Sequence, residues 1–370
     1  MDNVTHTLFG LCLSKAGLER TTPLATSALV IASNLPDLDT VTRLGGALSN
    51  LEYHRGLTHS LFGLAVLAVC LTFGLVFLDN RFRTRDPFRR PIRPWRVFWL
   101  AYLGGLCHVF MDFTNSYGLR PLIPFSDRWF YGDMVFIADP WIWLILGSAA
   151  VWLTATKPMR IVAWLAVGTA LGLAVVYFRE PPGMLLVPPP RISSVVRVIW
   201  FTGLGIVILG GIFGWRRAGP KLARYALIFL SLYYGGMWLA RQSAVDRVRD
   251  SLPKDQVVSL SVWPAPGNPL HWQGVVKTKD ALYERNVSLG GESGPPQWIA
   301  LPLLDPRFLE ALQQSRNVRV FLDFARYVSA EVEERPEGYT LLLRDPRFPL
   351  RMNVRLNSEL AVEGAEFHWF

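Results

Sequence analysis

The sequence predicts an α-helical polytopic membrane domain, with about six full spans and two short N-terminal helices, followed by a soluble and mostly β domain. Composition is the first observation, because 51% of the 370 residues are hydrophobic and only 18% are charged, against about a quarter in an average soluble domain. The second observation is the pattern. Apolar runs alternate with arginine-rich connections up to about residue 243, and shorter alternating runs follow.

The helical part begins with two apolar segments, residues 3–16 and 22–35, each shorter than the roughly 20 residues needed to cross a bilayer. Six further apolar segments are predicted to span the membrane. They cover residues 57–78, 97–117, 141–156, 161–178, 198–215 and 225–240. The predicted domains are a metal-site helical membrane domain (1–145), additional transmembrane helices (146–243) and an extracytoplasmic β-rich domain (244–370).

The C-terminal region carries short alternating apolar runs broken by Pro, Gly and Asn, which is the pattern expected of strands. The runs predicted as strands are VVSLSVW, NVRVFLDFARYVSAEV, YTLLL and RMNVRLN. One segment, DPRFLEALQQS, is predicted as a short helix. The change of pattern after residue 243 therefore marks the start of a separate, mostly β domain.

Basic residues predict the orientation in the membrane. Thirteen Lys and Arg lie in three alternate connections, against five in the other two. The basic connections are residues 79–97, 157–160 and 216–224. Because cytoplasmic loops are enriched in Lys and Arg, these are predicted to be cytoplasmic, in a multi-pass protein of the cell (inner) membrane. The same clustering explains the net charge of +9, so membrane lipids rather than nucleic acid are the predicted partners.

Candidate metal ligands concentrate between residues 34 and 60, which read NLPDLDTVTRLGGALSNLEYHRGLTHS. Asp37 and Asp39 lie two residues apart, and His54 and His59 follow. Carboxylate oxygen and imidazole nitrogen suit zinc, with manganese or iron as alternatives. Taken singly, the two acids could be turn or cap residues and His59 the start of a helix. Their proximity favours one site.

A second pair lies inside the predicted span 97–117. His108 and Asp112 are four residues apart, so a helix places both on one face. Ionisable groups within a span are costly and are therefore functional candidates, although a stabilising His–Asp hydrogen bond is the alternative. His6 lies near the start of the first apolar segment. The predicted topology brings all these residues to the outer side of the membrane.

These motifs resemble those of the YdjM-like family of membrane-bound, metal-dependent hydrolases. The resemblance covers residues 1–145 and rests on the segments THTLFG, NLPDLD, HRGLTHS and LCHVFMDFTNSYGLRPLIPF. It implies that the functional positions are His6, Asp37 or Asp39, His54, His59, His108 and Asp112.

A weaker likeness joins the chain to zinc-dependent phospholipase C and P1-type nucleases, through the spacing from Asp39 to His54 and the HxxxD run at His108. Those enzymes add a later His and an HxxxE run, but no histidine occurs here between residues 109 and 270. A site with one or two metal ions is therefore expected rather than a three-zinc cluster, with Asp133 as a further candidate ligand.

The predicted function is hydrolysis of an ester, namely a phosphoester in a lipid or lipid-linked substrate, by a site holding one or two divalent metal ions. Zinc is the first expectation for the metal. The predicted ligands are His6, Asp39, His54, His108 and Asp112. Asp37 or His59 could be the general base or a further ligand, and Arg55 could neutralise developing negative charge.

Two other functions stay open on the sequence. The chain could be a non-enzymatic scaffold or sensor with a structural metal site, or a transporter that uses the intramembrane His–Asp pair. Transport is disfavoured, because the four predicted spans after Asp112 contain no acidic residue or histidine.

Overall fold

A computed structural model describes residues 1–83, 91–177, 194–214, 219–251, 257–291 and 298–369. The predicted connections at 79–97, 179–197 and 216–224 lie partly outside these ranges. The helices are α1 (Asn3–Lys15), α2 (Ala25–Ala32), α3 (Ala47–Tyr53), α4 (Leu61–Arg83), α5 (Pro94–Phe113), α6 (Pro140–Thr154), α7 (Pro158–Tyr177), α8 (Ser194–Ile212), α9 (Pro220–Arg249), α10 (Pro306–Gln314) and α11 (Arg316–Phe324). The strands are β1 (Ser259–Ala265), β2 (Asn268–Lys277), β3 (Ala281–Ser288), β4 (Ile299–Pro302), β5 (Ser329–Arg335), β6 (Gly338–Asp345), β7 (Leu350–Asn357) and β8 (Val362–Trp369).

The structure confirms a helical N-terminal region with membrane spans, but it does not support six of them. Three helices in the described ranges, α4, α7 and α8, are long and apolar enough to cross a bilayer. Helix α6 is apolar but has 15 residues, which gives it a length of about 22 Å against a hydrocarbon core of about 30 Å. Helices α5 and α9 are long but less apolar, because polar side chains interrupt both. The six-span prediction is therefore corrected to three supported spans.

Helix α6 begins at Pro140, one residue before the predicted span 141–156. The side chain of Asp139 accepts hydrogen bonds from the backbone N–H groups of Trp141 (2.9 Å) and Ile142 (3.3 Å), and Pro140 occupies the first helical position. Asp139 is therefore a helix N-cap and takes no part in the candidate metal site.

Small residues bring α1, α2 and α5 close together. A Cβ atom added to Gly10 of α1 would lie 2.6 Å from Ser33 Oγ, and one added to Gly104 of α5 would lie 3.0 Å from the carbonyl oxygen of Leu29. Both glycines thus allow a neighbouring helix to pack against the end of α2. The close approach places the carbonyl group of Ser33 beside α5, where it accepts a hydrogen bond from His108 (2.8 Å).

The C-terminal region is a mostly β domain, as predicted. It consists of two four-stranded antiparallel sheets, each with its strands in sequence order. In the second sheet Leu341 pairs with Val354 and Leu343 with Met352, and all four side chains are fully buried on one face. Helix α10 confirms the helix predicted for DPRFLEALQQS.

One strand prediction is wrong. The run NVRVFLDFARYVSAEV begins as helix α11, and only its end enters β5. The alternation of Val318 and Val320 resembles a strand, but Val318, Phe321 and Phe324 are spaced three apart and are all buried. This helical spacing lets α11 cover the inner face of the second sheet.

The β domain packs directly on the helical region. Leu51 of α3 and Tyr117, which follows α5, lie in the same hydrophobic core as the second sheet. Two ion pairs cross the contact, Arg326 with Asp133 (2.8 Å) and Arg316 with Glu52 (2.8 Å). The β domain thus touches the two segments that flank the candidate site. The predicted domain limits stay a prediction, although α9 runs across residues 243 and 244.

Candidate metal centre

Four buried side chains from three separate elements converge at one point. Asp37 comes from a 3-10 helix over Leu35–Gly45, His59 ends a second 3-10 helix over Leu57–His59, and His108 and Asp112 come from α5. Each offers one ligand atom, and the four atoms all lie within 4.8 Å of one another. Because His108 and Asp112 are one helical turn apart, α5 supplies half of the cluster, as predicted from their spacing.

The distances within the cluster match those between the ligands of a single metal ion. The two Nε2 atoms of His59 and His108 are 3.1 Å apart. The Nε2 atom of His59 lies 3.3 Å from Asp112 Oδ2 and 3.5 Å from Asp37 Oδ1. The Nε2 atom of His108 lies 3.5 Å and 3.6 Å from the same two oxygens. Zinc bonds of about 2.0–2.1 Å in tetrahedral geometry separate neighbouring ligand atoms by about 3.3 Å. The donor set and its spacing therefore fit a divalent metal.

Both histidines are oriented through their other ring nitrogen. The Nδ1–H group of His108 donates a hydrogen bond to the carbonyl oxygen of Ser33 (2.8 Å). A carbonyl can only accept, so this contact fixes the tautomer and leaves the Nε2 lone pair for a metal. The Nδ1 atom of His59 lies 3.2 Å from Asp39 Oδ2, the arrangement of a carboxylate–histidine–metal triad. Both Nε2 atoms are thus directed at the centre of the cluster.

Asp39 holds the loop that carries His59. Its carboxylate accepts hydrogen bonds from His54 Nδ1 (2.7 Å), the backbone N–H of Arg55 (3.0 Å) and Thr58 Oγ1 (2.8 Å). Burial alone raises the pKa of Asp39, but the hydrogen bonds from His54 and His59 outweigh it and hold that pKa well below its usual range. Asp39 is therefore an ionised carboxylate that fixes the orientation of His54 and His59.

The sequence prediction placed Asp39 and His54 among the metal ligands and left Asp37 and His59 between ligand and base. In the structure, Asp37 and His59 lie in the four-residue cluster with His108 and Asp112. Asp39 and His54 form a second group of candidate ligands that shares Asp37. Which of these residues bind metal stays a prediction, and the geometry favours the four-residue cluster.

His6 and Arg55 both contact Asp112. The ring of His6 stacks on that of His108 with 3.8 Å between centroids, and its Nε2 lies 3.4 Å from Asp112 Oδ1. Neither ring nitrogen of this buried histidine has a hydrogen-bond partner among the described residues. The guanidinium group of Arg55 lies 3.0 Å from Asp112 Oδ2, and the backbone nitrogen of Met1 also contacts this carboxylate. Asp112 is thus the most heavily contacted acid of the site.

The cluster strongly favours positive charge. Burial lowers the pKa of His59, but hydrogen bonds to Asp112, Asp37 and Asp39 outweigh it and raise that pKa to about 10. A proton or a divalent cation on Nε2 of His59 would satisfy the surrounding carboxylates. The electrostatics and the geometry therefore favour the same kind of ligand.

One predicted ligand, Asp133, lies outside the cluster, and two residues that the sequence did not indicate, Ser33 and Tyr117, contact residues of the site. Asp133, a further candidate ligand, pairs with Arg326 (2.8 Å) and Arg241 (3.8 Å) instead. No sequence pattern indicated the role of Ser33. This residue orients His108 through its backbone carbonyl group, which any residue type could provide. Sequence reasoning also missed Tyr117, whose ring lies 4.6 Å from the Arg55 guanidinium carbon, because no spacing rule links it to the site.

Membrane-spanning helices and a buried Asp/His cluster define a membrane protein with a candidate divalent-metal centre. Residues 1–182 match the family model described as YdjM inner membrane protein, which confirms the resemblance inferred from the motifs. The chain is also 29% identical to the "Uncharacterized protein YfhP" of Bacillus subtilis (strain 168), over 100% of this chain and 95% of that protein. No solved structure matches the chain. The weaker likeness to zinc-dependent phospholipase C and P1 nuclease is not supported.

Replacing Asp39 with asparagine is expected to weaken metal binding by about 10- to 100-fold without abolishing it, since loss of a carboxylate behind a ligating histidine has effects of this size. A competition titration against a chromophoric chelator would measure the change. The half-exposed Asp305, which caps α10, provides the matched control Asp305→Asn. An affinity equal to that of the wild type would contradict the role assigned to Asp39.

Proposed function

We propose that this protein is a membrane-bound, metal-dependent hydrolase that cleaves a phosphoester in a lipid or lipid-linked substrate. One observation supports the proposal most strongly. His59, His108, Asp37 and Asp112 present four ligand atoms at the spacing of a single divalent ion. The Nδ1 atom of His108 is hydrogen-bonded to Ser33, and that of His59 lies 3.2 Å from Asp39. Zinc fits this donor set best, with manganese and iron as alternatives.

A divalent metal at this point would polarise a phosphoryl oxygen and lower the pKa of a bound water. Within the cluster, the side chain of Asp37 is 10% exposed, whereas those of His59, His108 and Asp112 are fully buried. Asp37 is therefore the member nearest to an entering substrate and the best placed to accept a proton from water. His59 is assigned as a ligand instead, because its second nitrogen faces Asp39.

Arg55 supports the site by fixing Asp112. Its side chain is 4% exposed and contacts both oxygens of that carboxylate, through Nε (3.0 Å) and Nη2 (3.1 Å). We assign it this positioning role rather than direct neutralisation of the substrate. His6 and the Oδ1 atom of Asp112 would provide two ligands for a second ion, in keeping with the expectation of one or two metals.

The orientation forms part of the proposal. The excess of Lys and Arg in the predicted cytoplasmic connections supports a site at the outer boundary of the membrane and an extracytoplasmic β domain. A lipid head group could then reach Asp37 without leaving the bilayer surface.

A structural metal site is the second candidate, and the burial of the cluster favours it. A structural zinc site is closed by four protein ligands, whereas a catalytic one keeps a position open for water. The four-residue cluster could form such a closed site. The β domain would then bind a partner in a scaffold or sensor.

Hydrolysis of bis-p-nitrophenyl phosphate and of a fluorescent phospholipid by detergent-purified protein separates the two candidates. We expect turnover that EDTA abolishes and added zinc restores, and that falls at least about 100-fold in His108→Gln, because a metal ligand is lost. His271→Gln, in the β domain, is the matched control and should keep full activity. Metal-loaded wild type that hydrolyses neither substrate would exclude phosphoester hydrolysis of these classes and favour the structural site.

A further inference from the structure

A second polar site lies at the opposite end of α4 from the metal centre. It is a cavity of about 580 Å³ between the end of α4, the start of α5 and the short connection that follows α1. Among the described residues, four arginines line it, namely Arg20, Arg83, Arg93 and Arg96. Since α4 has 23 residues, its two ends are about 35 Å apart, so this cavity is separate from the metal centre.

Among the described residues, the two acids that line the cavity, Glu19 and Asp79, pair with basic side chains other than Arg20 and Arg93. Glu19 pairs with Lys15 (2.6 Å), and Asp79 lies 3.5 Å from Arg83. Within the described ranges, no carboxylate forms an ion pair with Arg20 or Arg93, and both side chains are exposed. The cavity therefore carries an excess of positive charge that is available to an anion.

A buried hydroxyl group completes the lining. Thr22 is 5% exposed, and its Oγ1 has no hydrogen-bond partner among the described residues. Next to it, Arg96 donates a hydrogen bond to the carbonyl oxygen of Thr21 (3.0 Å), which holds its guanidinium group at the cavity wall. A tetrahedral oxyanion could accept hydrogen bonds from the arginines and from Thr22 together. This is a more specific arrangement than a general basic surface.

The surroundings favour the phosphate of a lipid as the anion. Arg83 is the last residue of a candidate membrane span, so the cavity lies at the level of the head groups. Close in sequence to the lining residues of α5, Trp95 and Trp99 are both 58% exposed, and tryptophan is enriched at this level of a membrane. Basic pockets between transmembrane helices on the cytoplasmic side bind anionic head groups. We propose that this cavity binds the phosphate group of an anionic lipid, independently of the metal centre.

Native mass spectrometry of the delipidated full chain in detergent tests the proposal, with phosphatidylglycerol, phosphatidylcholine and inorganic phosphate as separate probes. Phosphatidylglycerol should bind at least about 10-fold more tightly than phosphatidylcholine. The double variant Arg20→Gln, Arg93→Gln should lose roughly 10- to 30-fold of that affinity, because each basic side chain near the membrane surface contributes about five-fold. Lys157→Gln, Arg160→Gln removes the same charge at another predicted cytoplasmic connection and is the matched control.

Thr22→Val distinguishes a built site from a general basic patch, since it removes the hydroxyl group without changing charge. We expect it to weaken phosphatidylglycerol binding roughly five-fold while leaving the melting temperature within a few degrees of the wild type. Binding of inorganic phosphate alone, lost in the same variants, would support the phosphate site and identify free phosphate as its ligand. Equal binding of the two lipids, or an equal loss in the Lys157/Arg160 control, would overturn the proposal.

Discussion

Asp112→Asn is expected to reduce the affinity of the protein for zinc by more than about 100-fold. This loss is larger than the roughly 10- to 100-fold that follows when a residue that only orients a ligand is replaced. The Oδ2 atom of Asp112 lies within 3.5 Å of Nε2 of both His59 and His108, so the substitution removes one of four ligands and a negative charge. Elemental analysis of the purified variant and a competition titration would measure the loss.

The experiment needs a control for folding, because Asp112→Asn also leaves the buried Arg55 without its carboxylate. His108→Gln serves this purpose, since it removes a ligand but leaves the Arg55–Asp112 pair intact. Asp127→Asn, between α5 and α6, is the matched control and should retain wild-type metal. If Asp112→Asn and His108→Gln both stay folded and bind as much metal as the wild type, the assigned cluster is not the metal site.

Arg347→Met is expected to destabilise the protein by about 3–5 kcal/mol, the usual cost of breaking a buried ion pair. The guanidinium group of Arg347 is fully buried and lies 2.7 Å from Asp345 Oδ2. It also donates hydrogen bonds to the carbonyl oxygens of Ser116 (3.0 Å) and Phe324 (2.8 Å). Methionine fills much of the space but leaves Asp345 and both carbonyl groups without these donors.

Thermal unfolding of the full chain in detergent would show this loss as a fall of about 4–6 °C in the melting temperature. Arg344→Met is the matched control. Arg344, in β6, pairs with the half-exposed Glu331 of the neighbouring strand β5, so its loss should change stability by less than about 1 kcal/mol. Similar melting temperatures for both variants would contradict the role given to Arg347. Arg347 also links the β domain to the segment after α5, because its guanidinium group donates a hydrogen bond to the carbonyl oxygen of Ser116, four residues after Asp112.

The part of the site that could be predicted from sequence depends on helical periodicity. His108 and Asp112 are four apart in α5 and point the same way, as expected. Asp37 and Asp39 could not be assigned in this manner. They lie in a 3-10 helix, where residues two apart point about 120° from each other, so that one faces the cluster and the other faces back toward His54. No helix was predicted there, because the run Leu35–Gly45 contains a proline and two glycines border its end.

In the fold, too, features set by local sequence could be predicted, whereas features set by contacts between distant segments could not. Long apolar runs identified α4, α7 and α8, because a span is defined by length and composition. The limits of α9 were missed, since its polar end packs against β1 and β2 and this contact determines how far the helix extends. The strand prediction over α11 was wrong because its apolar residues fit both the two-residue period of a strand and the 3.6-residue period of a helix. Packing against the second sheet selects the helix.

X-ray absorption spectroscopy of the zinc-loaded wild type tests the central claim most directly. The spectrum should show zinc surrounded by nitrogen and oxygen atoms at about 2.0–2.1 Å, with the multiple-scattering signature of two imidazoles and no sulfur ligand. The imidazole contribution should decrease in His108→Gln. A spectrum without imidazole, or one unchanged by that substitution, would show that His59 and His108 do not hold the metal and would contradict the assignment of this cluster.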